Sequence, residues 1–120
     1  MPDDEIQKGR VLTEVWDFEL WLIGSTQISH AEAVKILSSP HWHESDPRKT
    51  AGGEEDHWGF HFDCGMSIGV ILRRPYGDST IAHEAAIYAD PPDSVKAFSY
   101  LKTLLTGRDI RVADPPVRIR

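Results

Sequence analysis

Residues 57–73, HWGFHFDCGMSIGVILR, alternate bulky apolar side chains with small or polar ones on either side of an Asp63-Cys64-Gly65 break. That period describes a β-hairpin, and its register decides which side chains share a face. Trp58, Phe60 and Phe62 point one way, while His57, Gly59 and His61 point the other. On the second strand Met66, Ile68, Val70 and Leu72 alternate with Ser67, Gly69, Ile71 and Arg73. A two-residue Cys64-Gly65 turn would put both histidines among the aliphatics. A three-residue loop with Gly65 in the left-handed region instead pairs Phe62 with Met66 and brings the aromatics onto the aliphatic face. Because a half-buried antiparallel sheet needs one apolar face, the three-residue loop is expected.

The next run extends the sheet. Arg74-Pro75-Tyr76-Gly77-Asp78 has the chemistry of a turn. Thr80 to Ala89 then alternates Ile81, His83, Ala85 and Ile87 against Thr80, Ala82, Glu84, Ala86 and Tyr88. A loop over Pro75 to Asp78 sets Leu72 opposite Ile81, Val70 opposite His83 and Gly69 opposite Glu84. The second face then has a floor without side chains, Gly59 beside Gly69, flanked by His57, His61 and Glu84 with Ser67 and Arg73 nearby. Glycines in mid-strand admit a close approach to the backbone, by a ring or helix of the same chain or by a ligand. His83, on the apolar face, is expected as a neutral or paired core residue.

Around this sheet the chain reads as one domain. Residues 1–9 are expected as a solvated leader, 10–113 as a single α+β domain and 114–120 as a tail. Val11 to Ile23 favours a long strand, with a helix as the alternative. Ser29-His30-Ala31-Glu32 is a capping box that opens a helix ending before Pro40, and His30 in its first turn is expected at the surface. His41 to Asp56, HWHESDPRKTAGGEED, is expected as a long polar loop anchored by Trp42. Asp90-Pro91-Pro92-Asp93 starts a second helix with a stripe of Val95, Phe98, Leu101 and Leu105, ended by Gly107. Ile110 to Val112 closes the order β-α-β-β-β-α-β, a mainly antiparallel sheet with both helices on the aliphatic face.

Composition narrows the function classes. A net charge of −6 without a basic stripe argues against binding nucleic acid. No apolar run reaches membrane-spanning length, and the acidic start MPDDEIQKGR does not read as a secretory signal. The one cysteine, Cys64, allows no intramolecular disulfide, and the expected location is the cytoplasm.

Three chemistries compete for the site residues. His41 and His43 form a His-x-His pair that could contribute to a metal site, but further ligands are not specified and no cofactor is expected. His57 and His61 are four strand residues apart, roughly 13 Å, too far to share one ion directly. Glu84 between two imidazoles would suit proton transfer in a small enzyme or ligand-binding domain, although no nucleophile accompanies them. The favoured expectation is a protein-binding module, or one that self-associates, acting through the second sheet face and the 41–56 loop. Gly59, Gly69, Ser67, Ile71 and Tyr88 would form the contact face with Arg73 at its rim, and Glu54 and Glu55 would steer a basic partner. In size, acidity and absence of a catalytic motif the chain is in keeping with small inhibitors of the immunity-protein kind.

Overall fold

The computed structural model describes residues 10–11, 20–50, 52–62 and 65–118. The expected leader, residues 12–19 of the expected first strand, and Asp63 and Cys64 lie outside the described residues. The protein is α+β: one antiparallel sheet with two longer helices packed on one face. The strands are β1 (Arg10–Val11), β2 (Trp21–Ile28), β3 (Trp42–Glu44), β4 (Gly53–His61), β5 (Ser67–Pro75), β6 (His83–Ala89) and β7 (Ile110–Arg118). Their spatial order is β1-β4-β5-β6-β2-β7, with β3 also pairing with β4.

The central hairpin has the expected register. Phe62 N–H donates to the Met66 carbonyl and Gly65 N–H to that of Phe62, with Gly65 at φ 91°. Trp58 therefore faces Val70, and Gly59 faces Gly69. The β5–β6 register differs from the expected one by four residues: Leu72 lies opposite Ala85, Val70 opposite Ile87 and Gly69 opposite Tyr88. The connection is longer because Asp78 organises it. Its Oδ1 accepts from the N–H groups of Thr80 and Ile81, and its Oδ2 lies 2.8 Å from His83 Nε2. Ser79 O also accepts from Ala31 N–H at the start of the first long helix. An even shift preserves the faces, so the apolar set stays apolar while its partners change. His83 accordingly lies opposite Ile28, half-buried and paired with Asp78.

Helix α1 (His30–Leu37) starts at Ser29, whose Oγ accepts from Glu32 N–H as the capping box requires. Helix α3 (Ser94–Leu104) follows a 3-10 turn at Pro91–Asp93. Ala33 and Leu37 of α1, and Ala97, Leu101 and the adjoining Leu105 of α3, bury against Trp58, Phe62, Ile68, Val70, Leu72 and Ile87 of the sheet. Val95, expected in this stripe, is 82% exposed. The helix instead turns Ala97 and Leu101, one turn apart, toward the sheet.

The register of β2 against both neighbours shifts between Leu22 and Gly24. A Cβ on Gly24 would fall 2.5 Å from the Arg111 carbonyl oxygen and 2.9 Å from the Phe98 ring. Gly24→Ala should therefore destabilise the domain by about 1–3 kcal/mol through overpacking. A denaturation midpoint equal to that of the unmodified protein would contradict this close approach. Opposite the shift, β7 swells. Ile110, Arg111 and Val112 pair with Thr26, Ser25 and Gly24; pairing then resumes at Val117 and Arg118 with Leu22 and Trp21. Residues 114–118, expected in a tail, thus continue β7 as an edge strand that bulges around Pro115 and Pro116. Among the described residues no helix is long and apolar enough to cross a membrane.

Candidate functional site

On the second face, side chains and burial close what the sequence left open. Gly59 and Gly69 are buried, and the residue completing their row on β6 is Tyr88, not Glu84. Tyr88 packs with Leu20 and Ile71 in a small second core, flanked by Leu22 and Ala86. Burial raises the Tyr88 hydroxyl pKa above its ordinary value. Ser67 is buried, and its Oγ lies 2.9 Å from His61 Nδ1. His57 is also buried, with Nε2 3.0 Å from Glu55 Oε1, and Arg73 Nε donates to the other Glu55 oxygen at 2.7 Å. The proposed His57–His61–Glu84 pocket does not assemble. His61 shares its row with Ser67, six residues along the strands from the row that contains Glu84, or roughly 20 Å.

What stays accessible on this face lies toward β6, β2 and β7. Ile71, Arg73, Glu84, Ala86 and Tyr88 line a hollow of about 290 Å³. A second of similar size adjoins it through Glu84 and is lined by Ser25, Gln27, Asp109 and Arg111 among others. The two hollows form a shallow trough across four strands, with Arg73 and Arg111 toward its ends and Glu84 between them.

The 41–56 segment is not a long solvated loop. It folds as β3, a short helix α2 (Pro47–Thr50) and the start of β4. Trp42, His43 and Glu44 pair with His57, Asp56 and Glu55. Asp46 caps α2 by accepting from Arg48 N–H at 3.0 Å, and Thr50 Oγ1 donates to the Gly53 carbonyl at 2.6 Å and lies 3.1 Å from that of Asp46. The tip is tied to the β5–β6 connection by a hydrogen bond from the Tyr76 hydroxyl to the Ser45 carbonyl.

At the base of this lobe lies a polar cluster that the sequence reading missed. Asp56 has a side chain with 0% exposure. His30 Nδ1 and Arg74 Nε each lie 2.8 Å from Asp56 Oδ2, and His43 Nδ1 lies 2.8 Å from Oδ1. Burial alone would push the Asp56 pKa up; the hydrogen bonds from Arg74, His43 and His30 outweigh it and hold the pKa below the ordinary 3.8. Arg74 also donates to Glu54 Oε2 at 2.8 Å, and Glu54 accepts from Gly77 N–H. Those contacts, the Gly77 N–H first, depress the Glu54 pKa. His43 Nε2 lies 3.2 Å from Glu54 Oε1, so a carboxylate faces each of its ring nitrogens. His30, expected as a free surface residue, is thus the link from α1 to this cluster.

His41 has a different task. His41 N–H donates to the His57 carbonyl, and its ring accepts at Nδ1 from Gly59 N–H at 2.9 Å. Its ring meets Phe60 edge-on at a centroid distance of 5.2 Å. Among the described residues β3 pairs with β4 as far as His57 and β1 pairs with it from Phe60, and this imidazole accepts the Gly59 N–H between those two stretches. Burial lowers the His41 pKa below the ordinary 6.5. Both members of the His-x-His pair are therefore engaged in protein contacts. Among the described residues no three His, Cys, Asp or Glu side chains are arranged to hold a metal ion.

Compared with known proteins, the chain matches no family model, no curated protein and no solved structure. The site must speak through its own geometry.

A signal for the Asp56 cluster was present in the sequence. Extending the first hairpin strand back to Gly53 puts Glu54 and Asp56 on the same parity as Trp58, and the hairpin register then sets Glu54 opposite Arg74. Two acids on an apolar parity facing a cation mark a buried ion cluster.

Proposed function

We propose that this chain is a small acidic protein-binding module, of the inhibitor kind, that engages a partner through the trough on its second sheet face and the adjoining β3 lobe. The observation that carries this reading is the placement of Trp42. Its side chain is exposed on β3, opposite His57 and two residues from Glu44, on the face that carries the trough. An exposed indole on an ordered strand supplies the kind of rigid anchor around which interfaces concentrate their energy. Arg73, Glu84 and Arg111 offer charged contacts along the trough, and the lobe carries the ion pairs Glu44–Lys49 and Asp46–Arg48 at its rim. A net charge of −6 favours a basic protein partner over nucleic acid, and a single cysteine fits a cytoplasmic setting. The alternative, an enzyme or ligand-binding domain built on His57, His61 and Glu84, has lost its common site.

Native mass spectrometry of gently isolated protein tests the proposal when wild type is compared with Trp42→Ala and Ala86→Arg. Trp42 is exposed and Ala86 is half-buried in the trough lining, so each variant is first checked for an unchanged melting temperature. The expected result is a stoichiometric protein partner on wild type, weakened at least about tenfold by either change, in line with the loss of an interface anchor. A partner held equally by both variants, or a chain that carries only a small-molecule adduct, would overturn this reading.

A further inference from the structure

His41 immediately precedes β3 and His43 is the central residue of that strand, and the two imidazoles have different surroundings. His41 Nδ1 accepts the Gly59 N–H, which needs an unprotonated nitrogen; a protonated ring would set N–H against N–H. His41 meets the Gly59 and His57 main chain and the Phe60 ring, and among the described residues no carboxylate is paired with it. His43 turns its two ring nitrogens toward carboxylates, Nδ1 at 2.8 Å from Asp56 Oδ1 and Nε2 at 3.2 Å from Glu54 Oε1. Asp56 is met in addition by His30 from α1 and Arg74 from β5, and Glu54 by Arg74 and Gly77 N–H. Between them Trp42 faces His57, itself held by Glu55, which also receives Arg73.

We propose that β3 is a proton-controlled clip: protonation of His41 unseats the start of β3 from β4 while the contacts of the central His43 keep the rest of the strand attached, so acidification re-aims Trp42. That the re-aiming regulates partner binding rests on the proposed function; the clip itself does not. The sign follows from His41. A folded state that binds this proton less readily than the open state holds the clip fully closed above the ordinary value of 6.5 and loses that contribution as the pH falls through the folded value. Because β3 is only three residues long, few other contacts oppose its release.

The test is native-state amide exchange at Gly59, expressed as a protection factor so that intrinsic exchange chemistry cancels, between about pH 7.5 and about pH 5. Wild type should lose protection at Gly59 by up to about tenfold per pH unit once His41 begins to protonate. His41→Asn places a non-titrating carbonyl oxygen near the position of Nδ1 and should make the profile flat. Constant protection in wild type, or an equal loss in His41→Asn, would overturn the clip. Should His41→Asn fail to fold, the ring nitrogen shifts of wild-type His41 decide: a neutral ring with its proton on Nε2 supports the clip, and a proton on Nδ1 overturns it. None of these measurements needs a partner, so loss of the binding proposal and loss of the clip are separate results. If both stand, partner affinity should fall with pH in wild type and hold in His41→Asn.

Discussion

Asp56→Ala is expected to destabilise the domain by about 3–5 kcal/mol, because it removes a carboxylate that compensates a buried guanidinium and takes the acceptor from the Nδ1 of both His30 and His43. Arg74 is nearly as buried as Asp56, and once Asp56 is gone its Nε loses its acceptor and only the Glu54 carboxylate remains to compensate its charge. The damage should therefore come mainly from the under-compensated buried cation. Asp56→Ala combined with Arg74→Met should recover much of the loss, and a double-mutant cycle in urea would measure that coupling. A shift below about 1 kcal/mol for Asp56→Ala alone would mean that water reaches the cluster and that it is not a buried network. The same carboxylate sets an acid limit. Since its folded pKa lies below the ordinary 3.8, its stabilisation is fully present above that value and disappears as the pH falls through the folded value. His41 acts at a higher pH, so acid should loosen β3 well before it unfolds the domain.

Trp58→Ala should have a loss of similar size, about 3–5 kcal/mol, for a different reason. Trp58 is fully buried at the centre of the β4 core face, and its Nε1–H donates to the Ser38 carbonyl at 2.8 Å. Ser38 ends α1 with a φ of 83°, in a conformation that serine rarely adopts unaided. The indole thus fills the core and also fixes the point where α1 stops. Trp58→Phe retains most of the ring but removes the donor, and should cost about 1–3 kcal/mol with the extra amide exchange concentrated at the end of α1. Exchange that rises evenly through the sheet would show that the hydrogen bond has no local role.

The contrast between these two residues shows what could be read from the sequence. Trp58 belongs to an uninterrupted alternation bounded by a glycine turn, so its face, its partner Val70 and the α+β class all follow from period and loop length. Asp56 lies two residues earlier on the same strand, yet HWHESDPRKTAGGEED reads as polar and glycine-bearing, and local composition marks a loop. Its burial depends on Arg74 across the hairpin and on His30 from a helix 26 residues away, contacts that no local pattern announces. The Gly59–Gly69 floor was legible as a pair, whereas its neighbour was not. That neighbour depended on a loop whose length Asp78 sets through side-chain hydrogen bonds, and a four-residue slip exchanged Glu84 for Tyr88. Faces survive such a slip, but sites do not.

The bulged edge strand β7 has a consequence for how this protein lives at high concentration. Val112 and Val117 are exposed on it, and a bare strand flanked by such residues would template the addition of further chains. Between those valines stand Ala113, Asp114, Pro115 and Pro116, of which the last two have no amide hydrogen to offer. An incoming strand would find its ladder broken after a few residues and a swollen backbone where a flat one is needed. The sheet is therefore finite by construction at this end, and replacing the two prolines would turn a terminus into a seed.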